Sequence, residues 1–318
     1  MSIVPPAPGE PRRPDGPRDS GDAWVVAETG ERYWGRYGAA GLLVVDAERG
    51  VLLQHRVGWS HFGGTWGLPG GALHAGESAL RGALRESQEE AGIPDGAVRA
   101  RFASVLDLGI WSYTTVVADV REAFEPVISD PESLALEWMA VDEVDQRPLH
   151  PGFAAAWPML RSLLTVRPVV VVDAANVVGS VPDGWWKDRA GAAGRLRERL
   201  SAWVAGGVPG DALGLGADRW YPRVSLVVEG EARRIADAEA AVDAPAALSA
   251  RDDVGVVRAT GSGDDAIVAE VRRLAATGAA VTAVTSDRGL RLRLQELSAR
   301  VESAGWLLSH LDGAAANG

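Results

Sequence analysis

The segment from Gly71 to Ile93, GALHAGESALRGALRESQEEAGI, constrains the fold of this chain more than any other stretch. Ser78 is an N-cap candidate, and Gly92 followed by Ile93 and Pro94 is a stop signal, so the spacing predicts a helix over Ser78–Ala91. At about 100° per residue, Glu86, Glu89 and Glu90 fall within roughly a 100° arc of that helix. Leu80, Ala83, Leu84 and Ala91 lie on the other face and are expected to be buried. Three carboxylates on one face repel one another, and only Arg81 and Arg85 are near in sequence to offset them. A bound divalent cation relieves the repulsion and takes the oxygens as ligands. The alternative is an acidic amphipathic helix whose charged face is solvated.

The chain has no cysteine, which excludes disulfides and thiolate metal sites. Carboxylates are then the main ligands on offer, and they suit hard cations such as Mg2+ or Mn2+. The charge of −11 is uneven: residues 1–165 hold 14 basic and 23 acidic side chains, and the remainder hold 18 and 20. An acidic first half argues against a broad nucleic-acid surface there, while the nearly neutral second half leaves polynucleotide binding open. The longest apolar runs are about eight residues, short of the roughly 20 that span a bilayer. No secretory leader pattern opens the chain, so a cytoplasmic location is expected.

At 318 residues the chain is long enough for two domains. Residues 5–17 hold six prolines, so residues 1–22 are expected to be a disordered leader. Strands are expected at Gly41–Val45, Val51–Arg56, Ala100–Leu106, Tyr113–Asp119 and Glu137–Val141. A loop should span Gly58–Gly71, and a closing helix Phe153–Leu164. From Pro168 the rhythm changes. Short apolar runs at Val169–Val172, Val224–Val228 and Val281–Val284 alternate with helical stretches at Ala190–Ala205, Gly230–Ala240 and Asp264–Thr277. That alternation predicts an α/β domain with a mainly parallel sheet. The boundary is placed near Thr165, giving domains at 23–165 and 166–318.

The first constellation resembles the Nudix box: Gly71, five residues, Glu77, seven residues, then Arg85-Glu86, Glu89-Glu90 and Gly92-Ile93. The aliphatic slot after Arg-Glu is instead Ser87, whose buried hydroxyl needs an acceptor such as the Ala83 carbonyl. Trp66-Gly67-Leu68-Pro69-Gly70-Gly71 before the box, and Glu137-Trp138 with Leu149-His150-Pro151 after it, extend the resemblance over residues 24–164. It implies an α/β/α sandwich with a mixed sheet, and Mg2+- or Mn2+-dependent hydrolysis of a pyrophosphate bond in a nucleoside diphosphate linked to a group X. Glu86, Glu89 and Glu90, with the backbone at Gly71, are then the metal ligands, and Arg85 orients the glutamates. Gly70 and Gly71 contact metal or phosphate, and Glu90 or Glu137 is the base. Trp59, Phe62 and Trp66 either stack on the base or close over the core.

In the second half, acids sit at strand ends and helix starts: Asp173 in VVVVDAANVVGS, Glu229 in SLVVEG, Asp264 and Asp265 in TGSGDDAIVAEV, and Asp287 in AVTAVTSDRGL. Functional groups of open parallel sheets gather beyond the carboxyl ends of the strands. Acids at such an edge suit a metal site for attack on a phosphodiester. The alternative is that they cap helices and turns. This half resembles the NYN branch of PIN-like nucleases through Asp173 with Asn176, through Glu229 where Asp is more usual, through Gly263–Ile267 and through Thr285-Ser286-Asp287. The resemblance implies a metal-dependent ribonuclease with RNA as partner. The competing expectations are a non-catalytic RNA- or partner-binding module, and a Nudix half that senses a ligand. Arg189, Arg195, Arg219, Arg223 and Arg288 are phosphate-contact candidates. Trp185-Trp186-Lys187 is either a stacking lip or buried.

Overall fold

The computed structural model describes residues 1–6, 20–182, 184–236 and 253–316. Two units divide the chain, Met1–Leu164 with Gly216–Asp218, and Thr165–Leu215 with Arg219–Gly318. The elements of the first are β1 (Ser2–Val4), β2 (Trp24–Val26), β3 (Arg32–Trp34), β4 (Ala39–Asp46), β5 (Gly50–Arg56), β6 (Trp66–Gly67), β7 (Gly70–Ala72), α1 (Ala79–Ala91), β8 (Val98–Asp107), β9 (Ser112–Val120), β10 (Ser133–Met139) and α2 (Pro151–Leu163).

The apolar run of β4 forms the middle of the sheet, where Ala40, Leu42, Leu43 and Val44 are fully buried. Such a run has no polar face to offer water, so both its sides must be covered. It pairs parallel with β9, from Ala39 opposite Tyr113 to Val45 opposite Asp119, and antiparallel with β5 and β7. The order β10-β5-β4-β9-β8, with β6 on β5 and β7 on β4, makes the sheet mixed, as the α/β expectation requires. Helix α1 lies against β4 and β7, which places its glutamates beside Gly70 and Gly71 at the start of β7. Helix α2 buries Phe153, Trp157 and Leu160.

Three expectations for this unit need correction. Ser2–Val4 is not part of a disordered leader but a strand paired antiparallel with Trp24–Val26; the proline-rich residues 7–19 lie outside the described residues. The loop expected at Gly58–Gly71 contains β6, which bonds to β5, and the start of β7, which bonds to β4. The last strand runs over Ser133–Met139 rather than Glu137–Val141, because Ala140 already opens a turn by accepting from the Glu143 N–H (2.9 Å).

The second unit comprises β11 (Pro168–Asp173), α3 (Ala174–Gly179), α4 (Arg189–Ala205), β12 (Val208–Pro209), α5 (Gly210–Leu213), β13 (Arg219–Trp220), β14 (Arg223–Val228), β15 (Val254–Arg258), α6 (Gly263–Ala275), β16 (Ala280–Val284), α7 (Arg288–Gln295), β17 (Arg300–Glu302) and α8 (Ala304–Ala316). The order β15-β14-β11-β16-β17 is parallel at every pairing. The apolar β11 is central and buried along its whole length. Val171 and Val227 pack with Ile267, Val271, Leu290 and Leu294 of α6 and α7 in one core cluster. Residues 237–252 lie outside the described residues, so the helix expected at Gly230–Ala240 is tested only at its start. There it is a single 3-10 segment, Gly230–Arg234. Arginine side chains take the carbonyls a helix would use: Arg233 donates to Gly230 O (3.1 Å), and Arg258 donates to Arg233 O and Ile235 O (3.1 and 3.0 Å).

Among the described residues no helix is long and apolar enough to cross a membrane.

Candidate active site

Helix α1 begins and ends as its sequence dictates. Ser78 Oγ accepts from the Arg81 N–H (3.3 Å), and Gly92, at φ +62°, donates to Gln88 O (3.1 Å). A left-handed residue at that position is the usual role of glycine after a helix. The two faces differ from the simple expectation. Ala83 and Ala91 are buried, but Leu80 and Leu84 are only half-buried. Glu86 and Glu90 are 6% and 5% exposed, so the acidic face is not the solvated face of a surface helix. Ser87 is fully buried, and its hydroxyl donates to Leu84 O (2.9 Å), one residue along from the expected Ala83.

One guanidinium organises the start of the site. Arg85 donates through Nε and Nη2 to the two oxygens of Glu77 (2.9 Å each), through Nη1 to Glu86 Oε1 (2.6 Å), and through Nη2 to Ala72 O (3.0 Å). Glu89 Oε2 stands 3.7 Å from the same Nη1. Burial opposes the charge of Arg85, but the Glu77 and Glu86 carboxylates outweigh it and hold its pKa above the ordinary value. Burial likewise works to raise Glu77, yet the Arg85 hydrogen bonds and the His74 N–H prevail and lower it. Glu77 and Arg85 are therefore a fixed charged pair.

Glu90 is the opposite case. Burial first, then the Glu86 charge, push its pKa well above the carboxylate range against the Gly70 N–H, and Glu132 and Asp130 add to the rise. Its Oε2 accepts from Gly70 N (2.9 Å) and from Gln54 Nε2 (3.2 Å). The two glycines are needed for space. A Cβ on Gly71 would lie 2.7 Å from the Glu86 carboxyl carbon, and one on Gly70 would lie 2.4 Å from Ala40 O. The Tyr113 hydroxyl lies over Gly41, and its pKa is pushed up to about 12 by burial, with Glu90 and Glu86 adding against Arg56.

Glu137 is not brought to this group. It stands opposite Leu53, one residue from Gln54, so strand alternation turns it to the other face of the sheet. There it is exposed and pairs with Arg147 (3.4 Å). Asp130 and Glu132 were missed in the sequence. Their loop crosses the end of α1, with Val127 N bonded to Ala91 O (3.0 Å) and Ser129 N to Glu90 O (3.3 Å). The signal was the acid pair around Pro131, just before a strand. Trp66 is 5% exposed and stacked on His55 at 4.7 Å, so it has the core position of the two left open for it. Phe62 and Trp59 are 46% and 50% exposed.

Among the described residues no three His, Asp or Glu side chains form a ready cluster for a metal ion. The donors nevertheless suit a hard cation. Glu86 and Glu90 are buried carboxylates one turn apart, and the rise at Glu90, from burial first and the Glu86 charge second, is one that a divalent ion would oppose.

In the second unit the acids do gather at the carboxyl edge of the sheet. Asp173 caps α3, accepting from Asn176 N (3.0 Å) on Oδ1 and from Thr285 Oγ1 (2.9 Å) on Oδ2. Asn176 Oδ1 accepts from Ser286 N (2.8 Å), Glu229 Oε2 from Gly263 N (2.8 Å), and Asp287 Oδ1 from Leu290 N (2.8 Å). Burial first, then Asp264 and Glu229, raise the pKa of Asp173; burial first, then Asp287 and Glu229, raise that of Asp264. Asp265 instead turns to Arg293 (2.6 Å). Trp186 is 58% exposed, and Trp185 lies under Arg189 at 5.3 Å.

Comparison with known proteins agrees with the first constellation. The NUDIX domain family model matches residues 35–163. "Putative 8-oxo-dGTP diphosphatase 3" of Mycobacterium tuberculosis is 47% identical over 183 residues, covering 54% of this chain and 82% of the relative. The "Nucleoside triphosphate pyrophosphatase/Nudix hydrolase fusion protein" of Bifidobacterium longum is 41% identical over 152 residues, 45% of this chain and 32% of that one. The crystal structure of the M. smegmatis Nudix hydrolase RenU is 46% identical and covers 45% of this chain and 94% of its own, with a TM-score of 0.42. The chain belongs to the Nudix hydrolase family. Within that family it is a pyrophosphohydrolase.

Proposed function

We propose that the first unit hydrolyses a pyrophosphate bond of an oxidised purine nucleoside triphosphate, one member of the nucleoside diphosphate-X class, with Mg2+ or Mn2+ as cofactor. The carrying observation is the burial of Glu86 and Glu90, with the Arg85 guanidinium hydrogen-bonded to Glu86 while Glu90 accepts from the neutral donors Gly70 N and Gln54 Nε2. Uncompensated buried charge is costly, and a cation bound through Glu86, Glu89 and Glu90 would offset it. Held by these carboxylates, such a cation would supply Lewis acidity at the phosphates and would lower the pKa of a bound water. Arg85 fixes Glu86, the side-chain-free Gly70 and Gly71 at the start of β7 permit close approach of backbone to ligand, and Glu90 or Glu132 accepts the proton. Phe62 and Trp59 are the exposed rings open to a base. The substrate is chosen because the M. tuberculosis relative bears the 8-oxo-dGTP diphosphatase name.

The test is a chromatographic assay with Mg2+ or Mn2+ against 8-oxo-dGTP, dGTP, a nucleotide sugar, a dinucleoside polyphosphate and a 5′-capped RNA. Fastest turnover of 8-oxo-dGTP is expected, with loss in Glu90→Gln. Preference for another panel member would correct the substrate, and full activity in Glu90→Gln would remove the site assignment.

A second reading concerns the other unit. We infer that it is an NYN-type, PIN-like domain that cleaves RNA with a divalent metal at Asp173, Asn176, Glu229, Asp264 and Asp287. Support comes from the gathering of these acids at one sheet edge, where Asp264 and Glu229 add to the effect of burial on Asp173, and Asp287 and Glu229 add to it on Asp264. Metal-dependent cutting of a 5′-labelled RNA that disappears in Asp173→Asn is the expected result. Retention of the RNA on a filter without cutting would favour a binding module instead.

A further inference from the structure

Gln54 is a polar side chain at the end of the buried run of β5. It follows Leu52 and Leu53, and all three are fully buried. Burying an amide is costly unless its groups are bonded. Nε2 is bonded twice, to Ser133 Oγ (2.8 Å) across the β5–β10 pair and to Glu90 Oε2 (3.2 Å). Oε1 is buried and accepts no hydrogen bond among the described residues. A leucine or methionine would fill this position with no orphan acceptor, so packing does not account for glutamine. A native buried orphan of this kind calls for a reason elsewhere.

The reason lies in which Glu90 oxygen the amide engages. Gln54 Nε2 and Gly70 N converge on Oε2, and among the described residues no hydrogen bond falls on Oε1. With two donors on one oxygen, the carboxylate is fixed in rotation and its other oxygen is held back from the protein. We propose that Gln54 is a positioning residue for the metal-binding carboxylate: braced by Ser133, it pins Oε2 of Glu90 and reserves Oε1 for the cation. The proposal rests on the reading of Glu90 as a metal ligand. Partners in the shell behind metal ligands commonly set affinity by 10–100-fold.

The experiment titrates Mn2+ into the full chain without nucleotide, by calorimetry or electron paramagnetic resonance, for five proteins: wild type, Gln54→Met, Ser133→Ala, Ser133→Thr and Glu90→Gln. Gln54→Met should weaken Mn2+ binding about tenfold, while the metal-free melting temperature is kept or raised, because the orphan oxygen is gone. Ser133→Ala should weaken binding less, and Ser133→Thr, which keeps the hydroxyl, should restore it. In steady-state assays Gln54→Met should need more Mg2+ for half-maximal rate with nucleotide KM unchanged. An Mn2+ affinity within twofold of wild type in a folded Gln54→Met overturns the proposal. If Gln54→Met does not fold, an unchanged affinity in Ser133→Ala overturns it in the same way. Unchanged affinity in Glu90→Gln sinks the ligand reading itself, whereas weak binding there with normal binding in Gln54→Met sinks only the role of Gln54.

Discussion

Arg85 reaches both oxygens of Glu77, one of Glu86 and the carbonyl of Ala72 from a single planar group. A lysine keeps the charge but offers three donors on one atom, so it cannot span Glu77 and Glu86 together. Glu86 is 6% exposed and would lose the partner that orients it. Arg85→Lys should therefore lower the Mg2+-dependent rate about a hundredfold, roughly 2.7 kcal/mol in the barrier. The stability cost should be smaller, about 1–2 kcal/mol, since the charge remains. Steady-state rates and a denaturant melt of the same protein check both numbers. A rate near wild type would mean that charge alone, without the fork, holds Glu86.

Helix α2 shows how an element can depend on the protonation of one residue. It starts at Pro151, and His150 Nδ1 accepts from Gly152 N (3.2 Å) as its N-cap. The imidazole can accept only when that nitrogen is unprotonated. Burial first, then Arg56 and His61, lower the His150 pKa to about 4. A histidine depressed in the folded state contributes stability above its unfolded pKa, near 6.5, and loses it as pH falls through about 4. Asparagine caps without titrating. Wild type should thus lose stability relative to His150→Asn between pH 6.5 and 4, and His150→Ala should cost about 1 kcal/mol at neutral pH. Parallel pH-dependent melts decide it, and a constant wild-type-to-Asn difference across that window would remove the cap from the account. This cap was not legible in the sequence, because nothing local tells a capping histidine from any other. Helix α1 was legible, since its caps and its glutamate spacing are local. Strands β15 and β17 were not, being a glycine-interrupted VGVVR and a three-residue RVE. Helix α7 was hidden for another reason: in RGLRLRLQ arginine and leucine alternate with the period of a strand. Glu137 and Glu132 exchanged importance because sheet register and a loop crossing are tertiary facts.

At the scale of the chain, each acidic group is built from one unit alone. Gln54, Glu77–Glu90 and the Asp130–Glu132 loop belong to the first, and Asp173, Asn176, Glu229, Asp264 and Asp287 to the second. Substitutions that remove one acid without changing volume should then act on one chemistry only, as effects at sites without shared partners usually add. Glu90→Gln should reduce nucleotide hydrolysis about a thousandfold, roughly 4 kcal/mol, and leave the proposed RNA cleavage at its wild-type rate. Asp173→Asn should do the reverse. Both reactions run on each full-length variant, with the double variant closing the cycle. Loss of both activities in either folded single variant would show that the two groups serve one reaction, and the assignment of a separate nuclease to the parallel sheet would then be wrong.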